Sequence, residues 1–64
     1  MSPKKTLQQR EQELRSLLAT LAGREELQEL ASRYSAASGR LKPAGTSAIT
    51  YILVYEREQG LISS

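Results

Sequence analysis

The sequence predicts a small all-α domain of three helices. Two segments carry leucine spacing typical of amphipathic helices, and a third segment lies between helix start and stop signals. A chain of 64 residues has room for one domain with a thin core, since a chain of about this length buries only about 60% of its unfolded surface. We therefore expect a single domain over residues 1–64, with a flexible basic tail at residues 1–5.

The first helix is predicted from Thr6 to Ala22. Thr6 and Gln9 have the spacing of a capping box. Ser2 followed by Pro3 is an equally good earlier start, because proline is favoured at the first helical position. The apolar stripe of this helix comprises Leu7, Leu14, Leu17, Leu18 and Leu21.

A second helix is predicted from Arg24, because Gly23 interrupts the leucine pattern and is expected to separate the two helices. Glu25 and Glu26 would lie in its first turn, where the helix dipole favours acidic side chains. The helix is expected to end at Gly39. Its apolar positions have i, i+3, i+4, i+7 spacing and are Leu27, Leu30, Ala31 and Tyr34.

The third segment, from Thr46 to Ile62, follows a loop and has signals at both ends. Thr46 or Ser47 can cap its start, and Gly60 can close it in the left-handed conformation while Leu61 folds back onto Tyr55. A strand over residues 48–55 is the alternative, because that stretch is rich in strand-favouring residues. The caps and the overall length favour a helix. Its predicted core positions are Ile49, Ile52 and Leu53, with Ala48 and Tyr55 at the margin.

The composition excludes several kinds of active site. The chain has no cysteine and no histidine, and its seven acidic residues are all glutamate, so thiolate or imidazole sites for metals or nucleophilic catalysis are absent. We expect no enzyme activity, no cofactor, no metal and no small-molecule substrate. The lack of disulfides agrees with a cytoplasmic location. No apolar run approaches a membrane span, so no membrane partner is expected.

The glutamates have two interpretations. A carboxylate pair for acid and base catalysis could be drawn from Glu25, Glu26 and Glu29. The second interpretation is favoured, because glutamate precedes arginine by four residues in two places, which is typical of surface ion pairs along a helix. Those pairs are Glu11 with Arg15 and Glu29 with Arg33.

Two groups of cations suggest a nucleic-acid partner. Ser2, Pro3, Lys4 and Lys5 resemble the basic tail repeats of some histones, which lie along the DNA minor groove. In the loop before the third helix, Arg40 and Lys42 could contact phosphates near the helix start. The alternative for this loop is a connector in which Leu41 packs into the core and the cations are solvated. The tyrosines at positions 34, 51 and 55 could stack on bases or lie at the edge of the core.

Read back from Gly60, Leu61 and Ile62, the third segment resembles the recognition helix of winged helix-turn-helix regulators. The resemblance covers about seventeen residues. It implies that Ile49 and Leu53 are buried, although Glu56 stands where the family usually has a buried leucine. It also implies a helix-turn-helix-like domain that binds DNA through its third helix. The predicted DNA-contacting residues are Lys4, Lys5, Arg40, Lys42, Thr46, Ser47, Thr50 and Tyr51.

The alternative function is a protein-interaction or oligomerisation module. In this hypothesis the leucine stripe of the first helix pairs with a partner helix or with a second copy of the chain. The formal net charge of +2 is small, and five arginines are interspersed with glutamates, which favours a protein partner. The predicted oligomer interface comprises Leu7, Leu14, Leu18 and Leu21.

Overall fold

A computed structural model describes residues 4–43 and 47–63 of the chain. It contains three helices: α1 (Leu7–Leu17), α2 (Leu21–Ser38) and α3 (Ser47–Glu58). Each helix contacts the other two. The prediction of a small all-α domain of three helices is confirmed, and residues 48–55 belong to a helix rather than to a strand. None of these helices is long and apolar enough to cross a membrane.

The α1 helix begins at the predicted cap. The Thr6 hydroxyl accepts the Gln9 backbone N–H at 3.1 Å, and the Gln9 side chain accepts the Thr6 N–H at 3.0 Å. These reciprocal bonds form the predicted capping box. Ser2 and Pro3, the alternative start, lie outside the described residues.

The boundary between α1 and α2 differs from the prediction. The α1 helix ends at Leu17, and α2 already begins at Leu21, because Thr20 caps it by accepting the Gly23 N–H at 2.9 Å. Gly23 is therefore inside the first turn of α2 rather than between the helices. A Cβ at this position would lie 2.1 Å from the Leu17 carbonyl oxygen. The glycine permits the close contact that makes this turn so short.

The first turn of α2 contains no acidic residue, contrary to the placement of Glu25 and Glu26 there. The earlier helix start moves both residues into the second turn. At its other end α2 closes at Gly39, which has φ of 75°, a left-handed conformation that glycine adopts without steric cost. The predicted end of this helix is confirmed.

The end of α3 is closed by Gly60, as predicted. Gly60 has φ of 72°; its N–H donates to the Arg57 carbonyl at 3.0 Å, and the Leu61 N–H donates to the Glu56 carbonyl at 2.8 Å. These two bonds define a Schellman motif. Leu61, which was predicted to fold back onto Tyr55, is 55% exposed, and Ile62, at 6%, is the buried residue of this segment. Thr46, a predicted cap, lies outside the described residues.

The core is formed by all three helices together with Ile62. The predicted positions Ile49, Ile52 and Leu53 of α3 are buried, and Ala48, expected at the margin, is buried as well. Apolar side chains on one face of each helix thus meet at the centre. The buried apolar residues are Leu14, Leu27, Ala31, Ala48, Ile49, Ile52, Leu53 and Ile62.

The two ends of the described chain are joined by backbone hydrogen bonds. The Leu7 N–H donates to the Ser63 carbonyl, and the Ser63 N–H donates to the Lys5 carbonyl, both at 2.8 Å. This isolated parallel bridge holds the segment after α3 against the start of α1. Lys5, which the sequence analysis assigned to the tail, is part of this bridge. The bridge keeps Ile62 in the core.

Candidate functional site

One buried polar cluster joins the three helices. Glu56 of α3 is 3% exposed, and its carboxylate accepts two hydrogen bonds from the Arg10 guanidinium of α1, at 2.8 and 2.9 Å. The same carboxylate accepts the Tyr34 hydroxyl of α2 at 2.6 Å. We call Arg10, Tyr34 and Glu56 the central triad. It gives the one buried charge of the described core a partner from each of the other two helices.

The central triad extends towards the surface through further ion pairs. Arg10 also donates to Glu13 at 3.2 Å, and Glu13 is bound by the Lys5 ammonium at 2.7 Å. On its other side, the Tyr34 ring stacks on Tyr55 with ring centroids 4.1 Å apart. Charged and aromatic contacts therefore run from the start of α1 to the outer edge of α2 and α3.

The electrostatics of the triad favour its ionised guanidinium and its protonated phenol. The hydrogen bonds to Glu56 raise the pKa of Arg10 above its ordinary value. Burial, and then the hydrogen bond to Glu56, raise the pKa of Tyr34 to about 12. At the surface, the hydrogen bond from Lys5 lowers the pKa of Glu13. The three shifts favour the charged Arg10, the charged Glu13 and the protonated Tyr34, which are the forms that make these contacts.

This arrangement supports a structural role for the triad. General acid and base catalysis requires a titratable group within reach of a substrate, whereas the Glu56 carboxylate is enclosed by Arg10 and Tyr34. Across residues 4–43 and 47–63 no buried side-chain nitrogen or oxygen lacks a hydrogen-bond partner. In the same part of the chain the glutamates form no cluster that could hold a metal ion. The carboxylate pair considered for Glu25, Glu26 and Glu29 falls on exposed positions of α2.

Three of the four predicted DNA-contacting cations, Lys5, Arg40 and Lys42, make polar contacts within the chain. Arg40 donates two hydrogen bonds to the Glu58 carboxylate, at 2.9 and 3.3 Å, and these raise its pKa. Lys42 donates to the Ser32 hydroxyl at 2.9 Å, and Lys5 is paired with Glu13. The Lys4 ammonium lies 3.6 Å from the position that a Cβ on Gly60 would take. Arg40 and Lys4 therefore lie towards the end of α3 rather than near its start.

The predicted contacts on α3 fall into two environments. Ser47 and Thr50 are exposed and line a groove of about 400 Å³ between α1 and α3, together with Glu11, Arg15, Leu18 and Ile49. Tyr51 is half-buried, and its hydroxyl donates to the Arg40 carbonyl at 3.0 Å. Ser47 and Thr50 thus remain accessible to a partner, whereas Tyr51 supports the linker after α2.

The leucines of the predicted oligomer interface also differ in how far they are exposed. Leu14 is fully buried in the core, and Leu7 and Leu18 are partly buried against it. Leu21, the first residue of α2, is 69% exposed. The stripe of the first helix is used mostly for intramolecular packing, and the accessible part lies at the turn between α1 and α2.

Comparison with known proteins identifies no relative of this chain. No protein-family model, curated protein or solved structure matches it. The resemblance to winged helix-turn-helix regulators stays a prediction. The position that would hold a buried leucine in that family is indeed buried here, but it is filled by the Glu56 carboxylate.

The central triad was not predicted from the sequence. Arg10 and Glu56 are 46 residues apart in the chain, and Tyr34 was predicted as an apolar position of the second helix that lies at the core edge or stacks on bases. One signal was available in the sequence. Glu56 follows Ile49, Ile52 and Leu53 at helical spacing, so it falls on the buried face of α3 and requires a cationic partner.

Proposed function

We propose that this chain is a non-enzymatic interaction module that pairs with a second copy of itself through the turn between α1 and α2. This surface, the α1–α2 corner, comprises Leu18, Ala19, Leu21 and Ala22. Leu21 is 69% exposed, both alanines are exposed, and Leu18 is partly exposed. Four apolar residues within a five-residue span thus face solvent, and burial of such a surface against a partner is favourable.

The charges beside the corner suit a symmetric pairing. In a twofold dimer the same surface contributes both sides of the interface, so it must be complementary to itself. Arg24 and Glu25 follow the corner after Gly23 and are both exposed. Arg15, which precedes it, is paired with Glu11 at 3.2 Å. Each sign of charge is available on both copies, so cation and anion can meet across the twofold axis.

The positions of the predicted DNA-contacting cations favour this proposal over DNA binding. Arg40 is bound to Glu58 near the end of α3, and Lys5 is bound to Glu13 of α1. Lys42 is held near α2 by Ser32. Arg40 therefore lies away from Ser47 and Thr50, the exposed side chains at the start of α3 that were predicted to contact DNA.

DNA binding is the second candidate, and one observation supports it. Ser47 and Thr50 are exposed on α3, and the groove beside them includes Arg15, whose side chain is 68% exposed. Small hydroxyl side chains on a helix with a flanking arginine can approach base edges and phosphates. In this candidate the accessible part of α3 is its first turn.

Sedimentation velocity over a range of protein concentrations tests the pairing. The wild type should shift from monomer to dimer, and Leu21→Ser should weaken association about ten-fold, by analogy with the loss of one buried leucine side chain. Leu61→Ser is the matched control, because it removes an exposed leucine elsewhere on the molecule. A wild type that remains monomeric at high concentration, or a control that weakens association equally, would refute the proposal.

A DNA titration at several salt concentrations tests the second candidate. If Arg15 contacts a phosphate, Arg15→Gln should reduce the slope of log affinity against log salt by about 0.9. Thr50→Ala should change the preference between sequences and leave that slope unchanged. Arg24→Gln, on α2, is the control cation. Absence of salt-dependent binding by the wild type at low ionic strength would exclude this candidate.

A further inference from the structure

The linker after α2 exposes a leucine on a segment that is held in place. Leu41 is 94% exposed, so the expectation that it packs into the core is wrong. Its neighbour Arg40 has a carbonyl that accepts both the Ser35 and the Tyr51 hydroxyls, an N–H that donates to Ser38, and a guanidinium bound to Glu58. On the other side Lys42 binds Ser32. Hydrogen bonds on both flanks thus fix a segment whose central side chain, Leu41, is exposed to solvent.

The segment after α3 presents a second leucine in the same manner. The Leu61 N–H is bound to the Glu56 carbonyl, and Ser63 is bound to both Lys5 and Leu7. Ile62 between them is buried, which directs its neighbour Leu61 outwards at 55% exposure. The backbone on both sides of Leu61 is therefore fixed, while its side chain remains in solvent.

An ion pair connects these two segments. Arg40, adjacent to Leu41, binds Glu58, which precedes Leu61 by three residues. Both exposed leucines therefore lie towards the end of α3. Four exposed cations lie beside these segments: Arg40 and Lys42 flank Leu41, Arg57 precedes Glu58, and the Lys4 ammonium lies near Gly60. We call this region the leucine–cation surface.

We infer that the leucine–cation surface binds the interface of an anionic lipid bilayer, an interaction beyond the proposed self-association. Exposed leucines enter the boundary between headgroups and acyl chains, while neighbouring cations approach lipid phosphates and carboxylates. This attachment requires no helix that crosses the membrane. It also uses the fixed backbone, because a segment that is already ordered loses little conformational entropy on binding.

A lipid surface fits these residues better than the other partners do. DNA would attract the four cations but offers little to two leucines placed among them. A protein partner would need pockets that match the positions of two separated leucines, whereas a bilayer accepts apolar side chains wherever they project. A lipid bilayer is favoured because it accommodates both the apolar and the cationic side chains of this surface.

Vesicle cosedimentation with the 64-residue chain tests this inference. The probes are phosphatidylcholine vesicles with and without phosphatidylserine, and the protein is kept below the concentrations at which it self-associates. The wild type should bind the phosphatidylserine vesicles, and Leu41→Ser should bind about ten-fold more weakly. Lys42→Gln with Arg57→Gln should weaken binding about five-fold for each cation removed. Leu21→Ser and Arg24→Gln, at the other end of α2, are matched controls and should bind as the wild type does.

The outcomes separate this inference from the proposed function. Binding that survives Leu41→Ser, or equal binding to vesicles with and without phosphatidylserine, would overturn the lipid assignment. A wild type that binds duplex DNA but no vesicle would overturn it in favour of the nucleic acid. Because Leu41 is almost fully exposed, its replacement removes no core contact, and circular dichroism should show an unchanged fold. Self-association is measured without vesicles and depends on Leu21, so either proposal can fail alone.

Discussion

Arg10 and Glu56 form a two-point ion pair across the interface between α1 and α3, with N–O distances of 2.8 and 2.9 Å. The carboxylate side chain is 5% exposed and the guanidinium side chain 24%. Because the planar fork of an arginine matches both carboxylate oxygens, the pair fixes the axial position of α1 against α3. Tyr34 adds α2 to the same point.

Removing one partner of this pair should destabilise the fold more than removing both. Arg10→Met leaves the Glu56 carboxylate buried with only the Tyr34 hydroxyl, and loss of one partner of a buried pair costs about 3 kcal/mol. Arg10→Met combined with Glu56→Leu removes the buried charge and should recover most of the loss. Urea denaturation of the wild type, both single variants and the double variant measures this coupling. Additive effects of the two substitutions would contradict it.

Tyr34 should give the fold a specific sensitivity to alkaline pH. Its pKa is raised from 10.0 to about 12 in the folded chain, so folding favours the protonated phenol. The stabilisation is complete below pH 10 and is lost as pH rises through about 12. Tyr34→Phe lacks the hydrogen bond to Glu56 and should be less stable at neutral pH by about 1.5 kcal/mol.

The unfolding free energies of wild type and Tyr34→Phe should therefore converge as the pH rises above 10. Denaturant titrations at a series of alkaline pH values provide the comparison. A stability difference that stays constant across this range would show that the Tyr34 proton does not contribute.

Gly23 should tolerate no side chain. The Cβ of Gly23→Ala would meet the Leu17 carbonyl oxygen at 2.1 Å, which forces the turn between α1 and α2 to move. Overpacking of this kind costs about 2 kcal/mol, more than the roughly 1 kcal/mol that alanine contributes to helix propensity. Ala22→Gly, at the neighbouring exposed position, serves as the control and should cost less. Thermal unfolding of both variants measures the difference, and a stabilised Gly23→Ala would disprove the close contact.

Truncation of Ile62 should lower the free energy of unfolding much more than truncation of Leu61, although the two residues are adjacent. Ile62→Ala removes a core side chain and should cost about 2 kcal/mol or more. Leu61→Ala alters a side chain that is more than half exposed and should change stability by within about 0.5 kcal/mol. Chemical denaturation of the two variants provides the measurement. Equal losses would show that Leu61 contributes as much packing as Ile62, contrary to their different exposure.

The sequence by itself determined the three helices, most of their ends and the core face of α3. These features depend on interactions within a few residues: the Thr6–Gln9 capping box, the Gly39 and Gly60 closures, and leucine or isoleucine at helical spacing. Such local preferences can be read from the order of residues. The misplaced boundary at Gly23 shows the limit, because a glycine also serves where two backbones must come close.

Only the tertiary structure decided which polar groups meet and which apolar groups remain exposed. The Arg10–Glu56 pair joins residues 46 positions apart, and neither residue has a local feature that identifies the other. Leu14 and Leu21 belong to one heptad stripe in the sequence, yet the chain turns between them and buries only Leu14. Leu41 and Leu61 become neighbours of one ion pair because Arg40 reaches Glu58. Contacts between residues far apart in the chain therefore determine which side chains remain exposed on the candidate surfaces. The local spacing of residues determines only where the helices form.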